Sequence, residues 1–215
     1  MTSRLSTVVC FAVKEEAKFF RPLAASLPNV ITLLTGMGQR NTETTFRATL
    51  DAHQPELVLT CGFAGGLNPA LTSGTVIFST DDQPDLETAL LKAGAQSARF
   101  HCSSRVASTA AEKRGLYSST GADAVEMESQ HILAICRERK LPCAIVRVIL
   151  DTADEDLPLD FNSLMTADQR MDFRKLAMAL VRAPGKVPAL IGLQKQTNSA
   201  ARKLAEALAA FLANA

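Results

Sequence analysis

The sequence predicts an α/β protein with a largely parallel or mixed central sheet. Short apolar runs alternate with amphipathic stretches over the first 150 residues, as they do where strands and helices follow one another. The final third of the chain has the pattern of helices. At 215 residues the chain has the length of one domain. We therefore expect a single domain over residues 1–215, with a helical segment from about residue 163 to the end.

Apolar runs and glycine turns define the elements expected in the first half of the chain. These elements are strand 6–13, helix 14–27, strand 30–36, helix 41–53, strands 56–67 and 74–80, and one more strand within 94–104. The first helix carries Ala17, Phe20 and Leu23 three residues apart, which places them on one face. Asn41 opens the second helical stretch, and we expect it to be the N-cap.

The second half of the chain alternates in the same way before it becomes helical. Its expected elements are helix 125–140, strand 142–151, a helix within 163–183, a linker at 184–190 and a helix over 199–215. The strand is apolar throughout, as a strand buried on both faces is. The linker is predicted from its two prolines and its lysine. The last helix places Leu204, Leu208, Phe211 and Leu212 on one face.

Composition excludes several classes of protein. Lys and Arg number 23 against 22 Asp and Glu, with no basic stripe, and aromatic residues make up only 5% with no Trp, so we expect no nucleic-acid partner. No apolar run approaches the ~18 residues of a membrane span, and the N-terminal apolar stretch is too short for a signal peptide. The five cysteines form no CxxC pair, which favours reduced, mostly buried thiols in a cytoplasmic protein. The three histidines lack metal-ligand spacing, so we expect neither a metal nor a cofactor.

Candidate site residues gather at the predicted carboxyl ends of strands, where open α/β sheets bind ligands. They are Thr35-Gly36-Met37-Gly38, the glycine-rich stretch 62–66, and Asp151. Each alone has an ordinary explanation, because glycines after a strand make tight turns and an Asp at a strand end caps or turns the chain. Two acidic segments, VKEEAKFF (13–20) and AVEMES (124–129), add carboxylates that the same edge could use.

The order of these motifs resembles the nucleoside phosphorylase superfamily over roughly residues 6–165. An acidic pair after the first strand is followed by TGMG, GFAGGL with GTVI, VEMES and finally VRVILDTAD. Within the superfamily the chain is similar to the nucleosidase branch, which includes methylthioadenosine/S-adenosylhomocysteine nucleosidase and futalosine hydrolase. STGADAVEMES and DTADEDLPLDFN look most like the hopanoid-associated phosphorylase-like enzymes, which are thought to remove adenine from adenosylhopane.

The resemblance implies a three-layer αβα fold, a homodimer, and cleavage of the N-glycosidic bond of a 5′-modified adenosine. It implies that Asp151 protonates the purine at N7, that Glu16 activates water, and that Glu128 and Met127 bind the ribose. The remaining implied contacts are Gly36, Gly38, Phe63, Ala64 and Gly65 in the pocket for the nucleophile or for phosphate, and Val106 and Ala107 in the base pocket.

Several alternatives stay open at this point. Glu16 could instead be a solvated helix acid. Glu126 is expected to face solvent or to pair with a basic residue, and Arg147 to form either a structural ion pair or a substrate contact. Water is favoured over phosphate as nucleophile, because the resemblance implies that a phosphorylase has an arginine on the strand leading into the glycine turn, and this chain has none there. Arg40 is the nearest candidate for binding phosphate.

Two departures from the resemblance also matter. Phe63 and Leu150 stand where the nucleosidases often have serine, so a nucleoside-binding relative with little turnover is a competing hypothesis. The region before AVEMES is shorter than in the small-substrate nucleosidases, which could open the 5′ side. That opening would suit a lipidic substituent, with the helical segment 163–212 approaching a membrane or simply packing on the sheet.

Overall fold

A mixed sheet of eight strands forms the centre of the molecule in a computed structural model that describes residues 6–36, 39–166 and 172–214. The spatial order is β2-β1-β3-β8-β4-β5, and β7 and β6 extend it from the far end of β3. The strands are β1 (Thr7–Phe11), β2 (Val30–Leu34), β3 (Leu57–Gly66), β4 (Val76–Thr80), β5 (Gln96–Ser97), β6 (Phe100–Cys102), β7 (Ala124–Glu126) and β8 (Cys143–Asp151).

Helices cover both faces of this sheet. They are α1 (Lys14–Ala17), α2 (Phe20–Ala24), α3 (Gln39–His53), α4 (Pro84–Lys92), α5 (Ala110–Thr120), α6 (Ser129–Arg139), α7 (Phe173–Arg182) and α8 (Val187–Asn214). Residues of β1 alternate between two cores: Val9 and Phe11 pack with α2, α4 and α8, whereas Val8 and Cys10 pack with α3 and α6. The predicted three-layer α/β architecture with a mixed sheet is confirmed.

The long strand β3 organises the edge where the candidate residues lie. It runs parallel to β1 and β8, and after an irregularity at Ala64 and Gly65 its end pairs antiparallel with β7. Gly65 is the register partner of Val125 on β7 and of Asp151 on β8. One residue of β3 therefore brings the segment that ends in Glu126 next to the carboxyl end of β8.

Helix 14–27 was predicted as one element, and this is wrong. The chain forms α1 and α2 with a break at Lys18 and Phe19. Pro22 explains the break, because its ring clashes with the carbonyl four residues earlier and it has no N–H to donate. Ala17 and Phe20 are buried as expected, but Leu23 is 43% exposed and Ala24 packs in the core instead.

Helix 125–140 is also corrected, because its first residues form β7 and the helix begins at Ser129. Pairing with both β3 and β6 buries Ala124, Val125 and Glu126. A strand of three residues is too short to show a period in sequence. Likewise, the stretch 94–104 holds two short strands, β5 and β6, instead of one.

The remaining boundaries differ in smaller ways. Helix α3 begins at Gln39, so Asn41 lies inside it and is not its N-cap. The predicted linker 184–190 is instead a 3-10 turn at Pro184–Lys186 followed directly by α8, whose first turn accommodates Pro188. The apolar face of the last helix is confirmed, since its four predicted residues are at most 5% exposed.

Two further properties follow from the described part of the chain. Its cysteines are all unpaired and four of the five are buried, as the composition indicated. None of the helices in residues 6–36, 39–166 and 172–214 combines the length and apolar character needed to cross a bilayer.

Candidate active site

A cavity of about 330 Å³ opens at the carboxyl edge of the sheet, beside the ends of β3, β7 and β8. Its lining comprises Val13, Glu16, Phe63, Ala64, Gly65, Arg105, Val106, Ala107, Val125, Glu126, Met127, Glu128, Leu150, Asp151, Leu157, Phe161, Met165, Leu193 and Thr197. Nine of the eleven site residues predicted from sequence therefore meet in one place.

Asp151 ends β8 and is 7% exposed. Its Oδ2 contacts the ammonium of Lys113, a residue with no exposed side-chain surface. Burial raises the pKa of Asp151, and the charge of Lys113 opposes that rise without cancelling it. A carboxyl with a raised pKa retains a proton at higher pH than an exposed aspartate, as a general acid must.

Glu16 is held inside the protein by main-chain donors. Its Oε2 accepts hydrogen bonds from the N–H groups of Ala12 and Val13 at 2.9 and 3.2 Å, and its Oε1 accepts one from Phe63 at 2.9 Å. Burial raises the pKa of Glu16, while Arg147 and these three N–H groups oppose the rise. The hypothesis of a solvated helix acid is wrong, because Glu16 is only 6% exposed.

Glu126 is a structural carboxylate. It accepts a 2.6 Å hydrogen bond from Arg147 Nη2 and further bonds from both the N–H and the hydroxyl of Ser129. Burial alone would raise its pKa, but Arg147 and Ser129 hold the pKa below the usual value. Of the two alternatives, Glu126 pairs with a basic residue and does not face solvent. Arg147 forms the structural ion pair and is absent from the cavity lining.

Glu128 differs from Glu126 although only Met127 separates them. Its side chain is 15% exposed and lies 3.9 Å from Arg147, beyond hydrogen-bond distance. Burial raises the pKa of Glu128 to about 7, and the neighbouring carboxylates of Glu16 and Glu126 add to the rise against Arg147. Glu128 is therefore a cavity carboxylate whose charge changes near neutral pH.

Close packing around β3 requires glycine at position 62 and leaves little room for a side chain at position 65. A Cβ on Gly62 would clash with the Glu16 carboxylate and would lie 2.7 Å from Arg147 Nη1. A Cβ on Gly65 would lie 3.3 Å from Val125 and 3.5 Å from Asp151 Oδ2. Gly65 thus lets β7 and β8 approach each other from either side of β3.

The segment of Val106 and Ala107 is fixed by a side chain from beyond β8. Asn162 accepts a hydrogen bond from the Val106 N–H and donates one to the Val106 carbonyl, each at 2.8 Å. Both main-chain polar groups of Val106 are therefore already paired. What this segment presents to the cavity is chiefly apolar.

Some predicted residues are not brought to the cavity. Gly36 has a left-handed backbone with φ 77°, and its carbonyl accepts from Thr42, but it does not line the cavity. Gly38 and the side chain of Arg40 lie outside the described residues. Within the described residues no three His, Cys, Asp or Glu side chains are grouped as a metal site.

Sequence reasoning missed Lys113 and the apolar wall. A signal for α5, the helix that carries Lys113, was present: Thr109 and Glu112 form a capping box, in which the hydroxyl of Thr109 accepts from the Glu112 N–H at 3.2 Å. The wall is formed by Leu157 and Phe161, which lie within DTADEDLPLDFN but were assigned no contact, and by Met165 and Leu193 beyond that motif. No local pattern marks them.

Comparison with known proteins adds an independent observation. The model of the Phosphorylase superfamily matches residues 10–94 and 98–182. A 5′-methylthioadenosine/S-adenosylhomocysteine nucleosidase of Glaesserella parasuis serovar 5 (strain SH0165) is 25% identical over 170 residues, which cover 64% of this chain and 74% of that protein.

Two solved structures share the fold at low identity. The 5′-methylthioadenosine/S-adenosylhomocysteine nucleosidase of Campylobacter jejuni superposes with a TM-score of 0.72 at 14% identity, covering 98% of this chain and 100% of that one. The futalosine hydrolase of Helicobacter pylori strain 26695 gives a TM-score of 0.65 at 17% identity, covering 94% and 96%. The motif order, the sheet and the family match agree, and the chain belongs to the phosphorylase superfamily.

Proposed function

We propose that the protein is a purine nucleosidase that hydrolyses the N-glycosidic bond of a 5′-modified adenosine and releases adenine. The observation that carries the proposal is the meeting of buried Glu16, buried Asp151 and half-buried Glu128 in one cavity, each with a raised pKa. The names of the relatives, nucleosidases and a futalosine hydrolase, support the same reaction class.

Asp151 is the general acid in this proposal. Its protonated carboxyl donates a proton to N7 of the purine while the C1′–N9 bond breaks and its electron pair moves to the base. Adenine then leaves as a neutral molecule. Burial of Asp151 beside Gly65 supports the role, because a buried carboxyl keeps its proton until a better acceptor is offered.

Glu128 and Met127 bind the sugar in this proposal. Ionised Glu128 accepts hydrogen bonds from the ribose hydroxyls and places negative charge beside the cation that develops at C1′. Such preorganised electrostatic stabilisation is usually the largest contribution to catalysis. The position of Glu128 on the cavity wall, free of the tight ion pair that occupies Glu126, supports this assignment.

Glu16 activates the nucleophile, and we propose that the nucleophile is water. Water attacks C1′ and gives a proton to Glu16, and exchange with solvent then returns Glu16 and Asp151 to their starting forms. Phosphate would meet carboxylates here, since Lys113 and Arg147 are engaged in buried ion pairs and Arg105, which lines the cavity, is paired with Glu112. Phosphorolysis stays the alternative.

Apolar contacts hold the base in this proposal. Val106, Ala107 and Phe161 line the cavity, and the main-chain groups of Val106 are already paired with Asn162. The departures Phe63 and Leu150 line the cavity too, where serine hydroxyls would otherwise help to orient water and acid. They are the observation that favours the second candidate, a nucleoside-binding relative with weak turnover.

Adenine release with and without phosphate tests the activity. We expect release from at least one of a panel of 5′-substituted adenosines, at a rate that does not change when phosphate is added, with a free sugar as the second product. A rate that increases with phosphate and yields ribose 1-phosphate would make the enzyme a phosphorylase. Binding of the panel without any release would favour the second candidate.

The apolar wall supports a large apolar 5′ substituent, and adenosylhopane is the substrate we propose. Leu157 and Met165 come from the connection between β8 and α7, Leu193 comes from α8, and all three line the cavity. We expect kcat/KM to rise with the length of an alkyl 5′ substituent, because each methylene that becomes buried lowers the free energy of the bound transition state by about 0.8 kcal/mol. The series from 5′-methylthioadenosine to its octyl analogue measures this; a flat or falling series would contradict an apolar 5′ site.

A lipidic substrate would reside in a membrane, and α7 with the start of α8 has the character of a surface that binds anionic bilayers. Residues 173–205 contain seven Lys and Arg and no Asp or Glu, in a chain of net charge +1. Met178, Val181, Val187 and Ile191 on these helices are 41–82% exposed. Basic charge combined with exposed apolar side chains is typical of helices that lie on anionic lipid surfaces.

Sedimentation with vesicles tests this surface. We expect the protein to pellet with phosphatidylcholine vesicles that contain phosphatidylglycerol, less so at high salt, and the double variant Val181→Glu, Ile191→Glu to lose binding. Leu91→Glu, at an equally exposed apolar residue of α4, is the matched control. Equal pelleting of the double variant would contradict the proposal. The superfamily resemblance implies a homodimer, and a lower mass of the double variant in solution would assign this face to contact between copies.

A further inference from the structure

Lys113 is buried directly behind Asp151. Its ammonium contacts Asp151 Oδ2 and donates hydrogen bonds to the carbonyls of Thr152 and Glu155, both at 2.7 Å. These three acceptors match the three N–H groups of an ammonium, whereas a neutral amine has two. The three N–H groups of the Lys113 ammonium are thus all directed at Asp151 and at the carbonyls of the segment that follows β8.

Lys113 is absent from the cavity lining, whereas Asp151 is part of it. Helix α5 carries Lys113, and the capping box of Thr109 and Glu112 fixes the start of that helix. A second link ties the same two segments together, since the Ala110 N–H donates to Asp156 at 2.7 Å. Lys113 therefore reaches the reacting carboxyl from a rigid element and acts on substrate only through Asp151.

We propose that Lys113 is a positioning residue for the acid: it holds Oδ2 of Asp151, so that Oδ1 is the oxygen that faces the base and delivers the proton. The inference rests on the proposed nucleosidase activity and adds a residue that does not touch the substrate. It explains why a lysine lies buried at a sheet edge, where a buried charge without a partner is costly.

The charge of Lys113 also sets the pH range over which Asp151 carries its proton. Burial raises the pKa of Asp151, Lys113 from α5 opposes this, and Glu155 from the following turn adds to it. Removing the positive charge leaves burial and Glu155 unopposed. The pKa of Asp151 then rises further, so Asp151 stays protonated to higher pH. The pH above which kcat falls therefore increases.

Lys113→Met and Lys113→Gln separate position from charge. Both remove the charge, and Gln keeps a donor for Oδ2. In both we expect the pKa of Asp151 to rise by about one unit or more, measured by ¹³C NMR of labelled aspartate with Asp151→Asn identifying the signal. At pH 7 we expect kcat to fall about 10–100-fold in Lys113→Met and by a smaller factor in Lys113→Gln, with KM little changed in both variants. Lys92→Met, an exposed lysine of α4, is the matched control.

The titration does not depend on turnover, so it stands even if the wild-type protein releases no adenine and the proposed function fails. An Asp151 titration and a pH profile of kcat that are unchanged in both variants would make Lys113 a structural residue only. If Lys113→Met does not fold, because two carbonyls lose their donor, Lys113→Gln decides the question alone.

Discussion

Asp151→Asn is expected to lower kcat for adenine release by about 10²–10⁴-fold, the range for loss of a general acid. The amide has nearly the same shape and still accepts a hydrogen bond from Lys113, but it has no acidic proton to give to N7. Adenine would have to leave as an anion. Release of adenine from the best substrate of the panel, followed by chromatography, measures the effect.

This variant needs a control for stability, because it leaves the ammonium of Lys113 without its negative partner. Breaking a buried pair from one side typically costs about 3–5 kcal/mol. The double variant Asp151→Asn, Lys113→Met removes both charges, and we expect it to recover stability without recovering turnover. Near wild-type turnover in Asp151→Asn would show that Asp151 is not the acid.

Glu128→Gln is expected to lose activity and gain stability. Losing the charge beside the developing cation should lower kcat by about 10²–10³-fold. The folded pKa of about 7 lies above the ordinary 4.5, so the folded state binds the proton more tightly than the unfolded state. Stability therefore falls as pH rises from about 4.5 to 7 and stays lower above 7. Glutamine removes this penalty, which is at most about 3 kcal/mol.

Thermal unfolding at pH 8 and at pH 4.5 measures the stability effect. We expect Glu128→Gln to melt several degrees above the wild type at pH 8, and the difference to shrink toward pH 4.5. Glu126→Gln is the matched control with the opposite sign, because it removes the buried partner of Arg147. A Glu128→Gln protein that melts below the wild type at pH 8 would mean that the carboxylate stabilises the fold.

The contrast between these two glutamates shows what sequence could and could not predict. Asp151 was found because it follows an apolar strand, and parallel strands end at the same edge of a sheet. Glu16 was singled out by the resemblance of the motif order to the superfamily. Glu126 and Glu128 are two residues apart, and only the pairing of β7 with β3 and β6 determines which one meets Arg147.

Lys113 and the apolar wall lay beyond sequence reasoning for a related reason. Lys113 is one of several charged residues in α5, and its burial depends on carbonyls that follow β8, about 40 residues later. Leu193 of α8 joins Leu157 and Met165 in the cavity lining only when the fold is complete. Local sequence patterns predict the layers of the fold and the ends of the strands. Which charged residues form ion pairs depends on contacts between segments that are distant in sequence.

The pairing of β3 with both β7 and β8 separates chemistry from specificity. Main-chain ladders at Gly65 set the distance between Asp151, the proposed acid, and β7, which leads to the proposed sugar-binding residues. The apolar wall belongs to other segments that these ladders do not include. If the proposed function holds, such a scaffold is modular: substitutions in the wall would change the 5′ group that is accepted, while Glu128 and Asp151 keep their spacing.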